Sequence, residues 1–82
     1  MQTILLDPSR YASSRELHAA LKAMLSLPDY YGMNADALHD CLAERREPVC
    51  LWLASSGEGE VARSAAAVRA VIADLGGTVR EI

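Results

Sequence analysis

The pattern of apolar and polar residues divides the chain into six segments, and each segment has a period that indicates a strand or a helix. Three short segments are candidates for β-strands: QTILL at residues 2–6, VCLWLA at residues 49–54 and TVREI at residues 78–82. The first two are mainly apolar and the last follows two glycines, and short runs bounded by turn-forming residues are typical of β-strands. The middle run, VCLWLA, is continuously apolar, which predicts a strand that is buried on both faces of its sheet.

Between the strands, apolar residues recur at the three- and four-residue spacing of amphipathic helices. Ser13 and Glu16 form a capping box, which predicts a first helix over residues 14–25. Asn34 is a natural N-cap and predicts a second helix over roughly residues 35–44.

A third, Ala-rich helical pattern extends over residues 61–75, and two glycines follow it. The stretch SSGEGE at residues 55–60 predicts a turn in front of this helix. The resulting order, β-α-α-β-α-β, predicts an α/β fold with a small parallel sheet packed by helices. We found no internal repeat and no second core pattern, so we expect residues 1–82 to form a single domain.

Composition narrows the possible functions. The formal net charge is −3, so the chain is a poor candidate for binding nucleic acid and suits a basic partner better.

The first apolar run is too short for a signal peptide and no run reaches membrane-spanning length, so we expect a cytoplasmic protein. Cys41 and Cys50 are too few for a disulfide scaffold, and we expect two reduced, mostly buried thiols.

The net charge lies in one segment of the chain. Residues 29–47 contain five acids and two bases, whereas the remaining residues contain six of each. On a helical wheel the apolar residues of the second helix share one face, and three acids at i, i+4 and i+8 share the opposite face. This acidic stripe consists of Asp36, Asp40 and Glu44, and His39 and Ala43 border it. Like charges at this spacing disfavour the helix slightly, so the stripe is either a solvated face or a surface that serves a partner.

Two tyrosines, Tyr30 and Tyr31, come shortly before the second helix. A loop tyrosine often covers the end of a core, so we expect one of the two rings to pack inward. The other ring, facing outward beside the acids, would be a typical interface anchor.

The sequence does not favour an active site. His39, Asp36 and Asp40 could place metal ligands on one helix face, but nothing elsewhere supplies an obvious further ligand. Cys41 is predicted to point inward and His39 outward, so they form no nucleophile–base pair. His18, on the first helix, has no evident partner. We therefore expect no catalytic residues, no metal and no cofactor.

The segment over residues 27–42 reads LPDYYGMNADALHDCL. It resembles the signature segment of the barstar family, which are intracellular inhibitors of secreted ribonucleases. The resemblance implies a three-stranded parallel sheet packed by helices, in which the second helix and the loop before it plug the active site of the ribonuclease. It also implies that Tyr30 and Asp36 contact the enzyme and that Asp40 enters the pocket where a substrate phosphate would lie. The further residues expected on the same contact surface are Tyr31, Gly32, Asn34, His39, Ala43 and Glu44.

The chain departs from the best-known member of that family at three places. That member has a tryptophan at the position of His39 and another near the position of Arg45. It also presents an acid from the last helix, where this chain has Val71 or Ile72; the nearest acid is Asp74. The acidic anchor is retained while the rim differs, so we expect a different target enzyme or weaker binding.

The sequence therefore predicts a protein inhibitor of a basic microbial ribonuclease, antitoxin-like and monomeric when free, with no nucleic-acid or membrane partner. The alternative is an acidic interaction module of the same fold that binds a basic protein other than a nuclease. A third reading, a small metal-dependent enzyme, has the least support.

Overall fold

In the computed structural model, which describes residues 2–45, 47–54 and 58–82, strands and helices follow one another in the predicted order. The strands are β1 (Gln2–Leu6), β2 (Val49–Leu53) and β3 (Thr78–Glu81), and the helices are α1 (Ser14–Leu25), α2 (Ala35–Ala43) and α3 (Gly59–Asp74). A single 3-10 turn over Pro8–Arg10 follows β1. Helix α3 begins inside the segment predicted as a turn at residues 55–60, and residues 55–57 of that segment lie outside the described residues.

The described strands form one parallel sheet in the order β1-β2-β3, as the alternation of strands and helices predicts. Ile4 pairs with Leu51, and Leu51 pairs with Val79, so these three side chains lie in one row across the same face of the sheet. The neighbouring row, on the opposite face, consists of Leu5, Trp52 and Arg80.

The prediction that β2 is buried on both faces is wrong. Leu51 is fully buried among residues from all three helices, whereas Trp52 is 39% exposed and Leu5, beside it in the next strand, is 55% exposed. The helices pack on the Leu51 face, so alternate side chains of β2 point to an open face. Arg80 partly covers that face, with its guanidinium carbon 5.8 Å from the centroid of the Trp52 ring.

Both cysteines are free, as predicted, but each is only half-buried. Cys50 lies on the open face of the sheet next to Trp52, which explains its partial exposure. Cys41 lies on α2, beside the buried residues that attach this helix to the core.

The end of α3 meets the start of β2 at Gly77. A Cβ atom on this residue would lie 2.4 Å from the carbonyl oxygen of Val49 and 2.6 Å from a side-chain carbon of Ile72. Both distances are shorter than real contacts allow, so the backbone approaches this closely because the position is glycine. The approach sets the turn from which β3 enters the sheet beside β2.

Candidate functional site

Helix α2 has nine residues, which is too short for a helix to be stable in water by itself. Its position depends on packing, and Leu38 and Leu42 on its inner face are buried in the core. Each such leucine contributes about 1.5–3 kcal/mol when it is withdrawn from water. The helix is therefore presented by the core, and its outer face is left to solvent.

Asn34 links the loop to α2. Its side-chain oxygen accepts a hydrogen bond from the backbone N–H of Ala37 at 2.8 Å, as the N-cap prediction requires. Its side-chain nitrogen donates to the carbonyl of Gly32 at 3.1 Å. Asn34 and Gly32 are both exposed, so they fix the shape of the loop while remaining at the predicted contact surface.

The outer face of α2 carries the acidic stripe that the helical wheel predicts: Asp36, Asp40 and Glu44 are all exposed. The bordering residues His39 and Ala43 are exposed as well. Within the part of the chain that the structure describes, no hydrogen bond or ion pair engages a side chain of the stripe. The three carboxylates therefore repel one another slightly, and only Asp36 gains from its position, because it lies in the first turn of α2 where the helix dipole favours an anion.

Other acids of the same segment are engaged. Asp29 lies 3.7 Å from the ammonium group of Lys22 on α1. Glu47 also takes part in an interaction within the chain. The uncompensated negative charge is thus concentrated on α2 more sharply than the sequence count over residues 29–47 indicates.

The two tyrosines of the loop face opposite ways. Tyr30 is 78% exposed, and Tyr31 is 5% exposed with its ring in the core. The hydroxyl of Tyr31 lies 2.6 Å from Nδ1 of His18, and the two ring centroids are 5.9 Å apart. Burial first, and then the nearby Cys41 thiol, raise the pKa of Tyr31 to about 12. Of the two predicted contact residues, Tyr30 therefore offers its ring to a partner, and Tyr31 supports the loop from below.

His18 is the residue for which the sequence suggests no partner. It is 3% exposed, and burial lowers the pKa of its imidazole, so the ring is neutral at pH 7. A signal for its burial is present in the sequence: at 100° per residue His18 falls beside Leu25 and Leu21 on the apolar face of α1. Its pairing with Tyr31, thirteen positions away, has no such signal.

Arg45, where the family resemblance suggests an aromatic rim residue, is directed inward. Its guanidinium donates to the carbonyl of Leu25, the last residue of α1, and to the side-chain oxygen of Gln2 at 3.0 Å. Gln2 in turn donates to the carbonyl of Met24 at 2.9 Å. A cation and an amide thus satisfy carbonyls at the C-terminal end of α1, where helices favour positive charge. We call this set of bonds, made by Arg45 and Gln2, the α1 clamp.

A groove of about 330 Å³ separates the loop from the end of α2. The exposed ring of Tyr30 and the carboxylate of Glu44 both line it, together with Pro28, Cys41 and Arg45. The groove therefore combines an aromatic residue and an acid with Arg45, whose guanidinium is already engaged in the α1 clamp.

At the positions of the last helix that the resemblance singles out, the chain has Val71 and Ile72 instead of an acid. Both are buried in the core. Asp74 is exposed at the end of α3. Among the described residues, no group of three potential ligand side chains is arranged to hold a metal ion. Within the same residues, no helix has the length and apolarity needed to span a membrane.

Comparison with known proteins identifies the family to which a chain with this geometry belongs. A family model described as "Barstar (barnase inhibitor)" matches residues 1–81. A protein described as "Putative ribonuclease inhibitor YrdF", from Bacillus subtilis (strain 168), is 48% identical over 42 residues, which are 51% of this chain and 46% of that protein. The match therefore spans about half the length of that relative. Since the family model covers nearly the whole chain, and the fold is the three-stranded parallel sheet with packed helices that the signature segment implies, the chain belongs to the barstar family.

Proposed function

We propose that this protein inhibits a basic microbial ribonuclease by placing α2 and the preceding loop in the active site of the enzyme. The observation that carries the proposal is the acidic stripe, whose carboxylates are exposed and have no partner in the described chain. The description of the family names it as a barnase inhibitor, and the name of the Bacillus subtilis relative describes a ribonuclease inhibitor. Both descriptions support the same function for this chain.

The mechanism rests on electrostatic occupation. A ribonuclease active site holds cationic side chains that bind phosphates of the substrate. Residues four apart on one helix face rise about 6 Å along the axis, so each carboxylate of the stripe can meet a different cation. In this proposal Asp40, at the centre of the stripe, takes the place of a phosphate, and Asp36 and Glu44 flank it. Tyr30 packs its exposed ring on the enzyme beside them.

The rim of the surface distinguishes this inhibitor from the best-known family member. His39 is exposed where that member has a tryptophan, and Arg45 belongs to the α1 clamp instead of the surface. The buried Val71 and Ile72 offer no acid. We therefore propose a target other than the classical enzyme, or weaker binding to it. The proposal includes a free monomer that acts in the cytoplasm as an antitoxin.

The test compares two variants that each remove one exposed carboxylate. Asp40→Ala should unfold within about 0.5 kcal/mol of the wild type, because it removes no contact and Ala favours helices. Loss of one partner of a buried interfacial charge pair costs about 2–5 kcal/mol in other complexes, the family's own among them. At about 1.4 kcal/mol per tenfold, inhibition should weaken at least about 30-fold. Glu81→Ala, which removes a carboxylate at the end of β3, should leave inhibition unchanged.

Two assays read the result: inhibition of barnase, and inhibition of any nuclease that the chain captures from the basic secreted proteins of the organism that encodes it. Unaltered inhibition by Asp40→Ala would remove α2 as the binding surface. Capture of a basic protein without nuclease activity, through the same Asp40-dependent surface, would support the alternative interaction module instead.

A further inference from the structure

A second groove, of about 360 Å³, opens where the N-terminal ends of the three helices meet. It is lined by Ser14, His18, Met33, Asn34, Ala35, Glu60, Arg63, Ser64 and Ala67. Asn34 and Ala35 also begin α2, so the groove adjoins the surface proposed above. One wall is closed by bonds between α1 and α3: the hydroxyls of Ser14 and Ser64 are hydrogen-bonded, and Glu60 accepts from the backbone N–H of Ser14 at 2.8 Å.

His18 forms part of the floor of this groove. Its Nδ1 is taken up by Tyr31, and no described residue bonds its Nε2. Among the described residues no buried side-chain nitrogen or oxygen is left without a partner, so Nε2 must reach solvent. The groove is the open space that this ring lines, although the residue is only 3% exposed. His18 therefore brings to the lining of the groove a nearly buried ring whose Nε2 has no hydrogen-bond partner among the described residues.

We assign the neutral ring of His18 the tautomer that carries its proton on Nε2, from the lengths of two contacts. The Tyr31 hydroxyl lies 2.6 Å from Nδ1 of His18 and 3.4 Å from the carbonyl of Asn34. A distance of 2.6 Å is ordinary for an O–H donor and short for an N–H donor, so we assign the hydroxyl as the donor to Nδ1. A neutral ring that accepts at Nδ1 is protonated at Nε2. The floor of the groove is therefore a hydrogen-bond donor.

Arg63, on α3, supplies a cation at the rim. It is exposed, and within the described chain it has no ion pair, unlike Arg10, Lys22 and Arg69. An arginine and an N–H donor facing one groove recognise an anion, and the planar guanidinium suits a carboxylate in particular. The carboxylate of Glu60 in the same groove offsets part of the Arg63 charge. A singly charged ligand is therefore favoured over a doubly charged phosphate.

We propose that this groove receives the carboxylate of an Asp or Glu side chain of the same protein that binds α2. The proposal rests on the function proposed above, and it gives the interface a second contact of opposite polarity. Two observations select a side chain of the partner as the occupant. The groove is continuous with the start of α2, and its free cation is complementary to an acid in the way that the stripe is complementary to bases. The partner is thus a basic enzyme with an acidic residue beside its active site.

The first test needs no nuclease. Sodium acetate, titrated into the isotope-labelled protein at constant ionic strength, should shift the ring signals of His18 and the side-chain signal of Arg63 with a common, saturable curve. Arg63→Gln should abolish the response, and sodium chloride should not reproduce it. Absence of a saturable shift at His18, or a response that persists in Arg63→Gln, would overturn the assignment of the groove to a carboxylate.

The second test asks whether the occupant belongs to the partner. Arg63→Gln should weaken binding to the inhibited nuclease about tenfold, the order expected for loss of one charge pair at an interface. Arg63→Lys should keep part of the affinity, because it keeps the charge without the planar fork. Arg69→Gln is the matched control: it removes the same charge from the same helix, but Arg69 pairs with Glu81 and does not line the groove, so affinity should be unchanged.

The outcomes separate the two proposals. Equal affinity of Arg63→Gln and the wild type, together with weak binding by Asp40→Ala, would overturn the groove as a partner contact and leave the inhibitor function standing. An acetate response without an effect of Arg63→Gln on the nuclease would assign the groove to a free carboxylate and overturn the partner assignment. Equal losses in Arg63→Gln and Arg69→Gln would reduce the effect to net charge and overturn the assignment as well.

Discussion

His18 and Tyr31 show how single residues set the geometry of the surface. Each buries a polar ring, and their mutual hydrogen bond at 2.6 Å offsets the loss of water. The pair ties α1 to the loop, where the backbone N–H of Tyr31 also donates to the carbonyl of Pro28 at 3.0 Å. With Tyr31 fixed in the core, its neighbour Tyr30 is held outward.

The same pair predicts how stability depends on pH. Burial lowers the pKa of His18 from its ordinary value of 6.5, so the unfolded chain takes up the proton first as pH falls. Stability should be complete above pH 6.5 and decline below it until the folded-state pKa is reached. Tyr31 bonds the ring, and the titratable or charged residues that line the groove with His18 are Glu60 and Arg63.

Urea unfolding at several pH values between about 5 and 7.5 measures this dependence, above the range in which carboxylates titrate. His18→Gln should flatten the slope. The other histidine gives the control, because His39 is exposed and His39→Gln should keep the slope of the wild type. A slope that survives in His18→Gln would contradict the assignment.

Much at the residue scale could be predicted from the sequence. The caps at Ser13 and Asn34, and the faces of α2, follow from local spacing, and the structure confirms them. Which of the two tyrosines turns inward could not be read, because the choice depends on His18 from another helix. The inward direction of Arg45 could not be predicted from the sequence for the same reason, since its hydrogen-bond acceptors come from α1 and β1.

At the scale of elements, the placement of α2 depends on attachments at both ends. Leu38 and Leu42 fasten its inner face, and the α1 clamp follows immediately after its last turn. The clamp joins the end of α2 to α1 and β1 through one half-buried guanidinium. The orientation of the acidic stripe is therefore determined by residues outside the stripe.

Removing the clamp should loosen this arrangement. Arg45→Met keeps most of the aliphatic stem but leaves the Leu25 carbonyl and the Gln2 amide without their charged donor. Hydrogen bonds to charged groups are worth about 1.5–3 kcal/mol, and we expect a loss of stability of that order. Arg15→Met, on the exposed side of α1, should change stability by less than about 0.5 kcal/mol. Urea unfolding of the wild type, Arg45→Met and Arg15→Met measures these differences. Equal stabilities of the three proteins would show that the clamp does not stabilise the fold.

Element order and type were predictable, whereas the environment of β2 was not. A continuous apolar run such as VCLWLA fits a strand covered on both faces, but it cannot reveal how many helical layers the sheet has. Trp52 and Leu5 are exposed because the helices of this small domain pack on one face. The chain buries enough apolar surface with two layers, and the third layer that the pattern suggests is absent among the described residues.

The whole molecule has an asymmetric distribution of charge. Three bases outside α2, Arg10, Lys22 and Arg69, pair with acids, while the stripe on α2 has no ion pair among the described residues. A field of one sign on one side orients the molecule as it approaches a basic enzyme. Encounter rates that depend on such a field fall as salt screens it over a Debye length of about 8 Å at physiological ionic strength.

We therefore expect the association rate with the nuclease to fall at least about tenfold from low to physiological salt, while the dissociation rate changes much less. Stopped-flow mixing at several ionic strengths measures both rates. A variant with Asp36→Asn and Glu44→Gln should show a shallower salt dependence, and Glu81→Gln, outside the stripe, should keep most of it. An association rate independent of salt would remove steering from the mechanism.

The lack of intramolecular partners for the stripe also bears on how such a protein changes over generations. Asp36, Asp40 and Glu44 make no hydrogen bond or ion pair within the described chain, so replacing them costs the fold almost nothing. Selection on these positions then comes from the target rather than from folding. A lineage with this architecture can keep binding a nuclease that mutates, or come to bind a new nuclease, through substitutions on one helix face. Its core residues need not change.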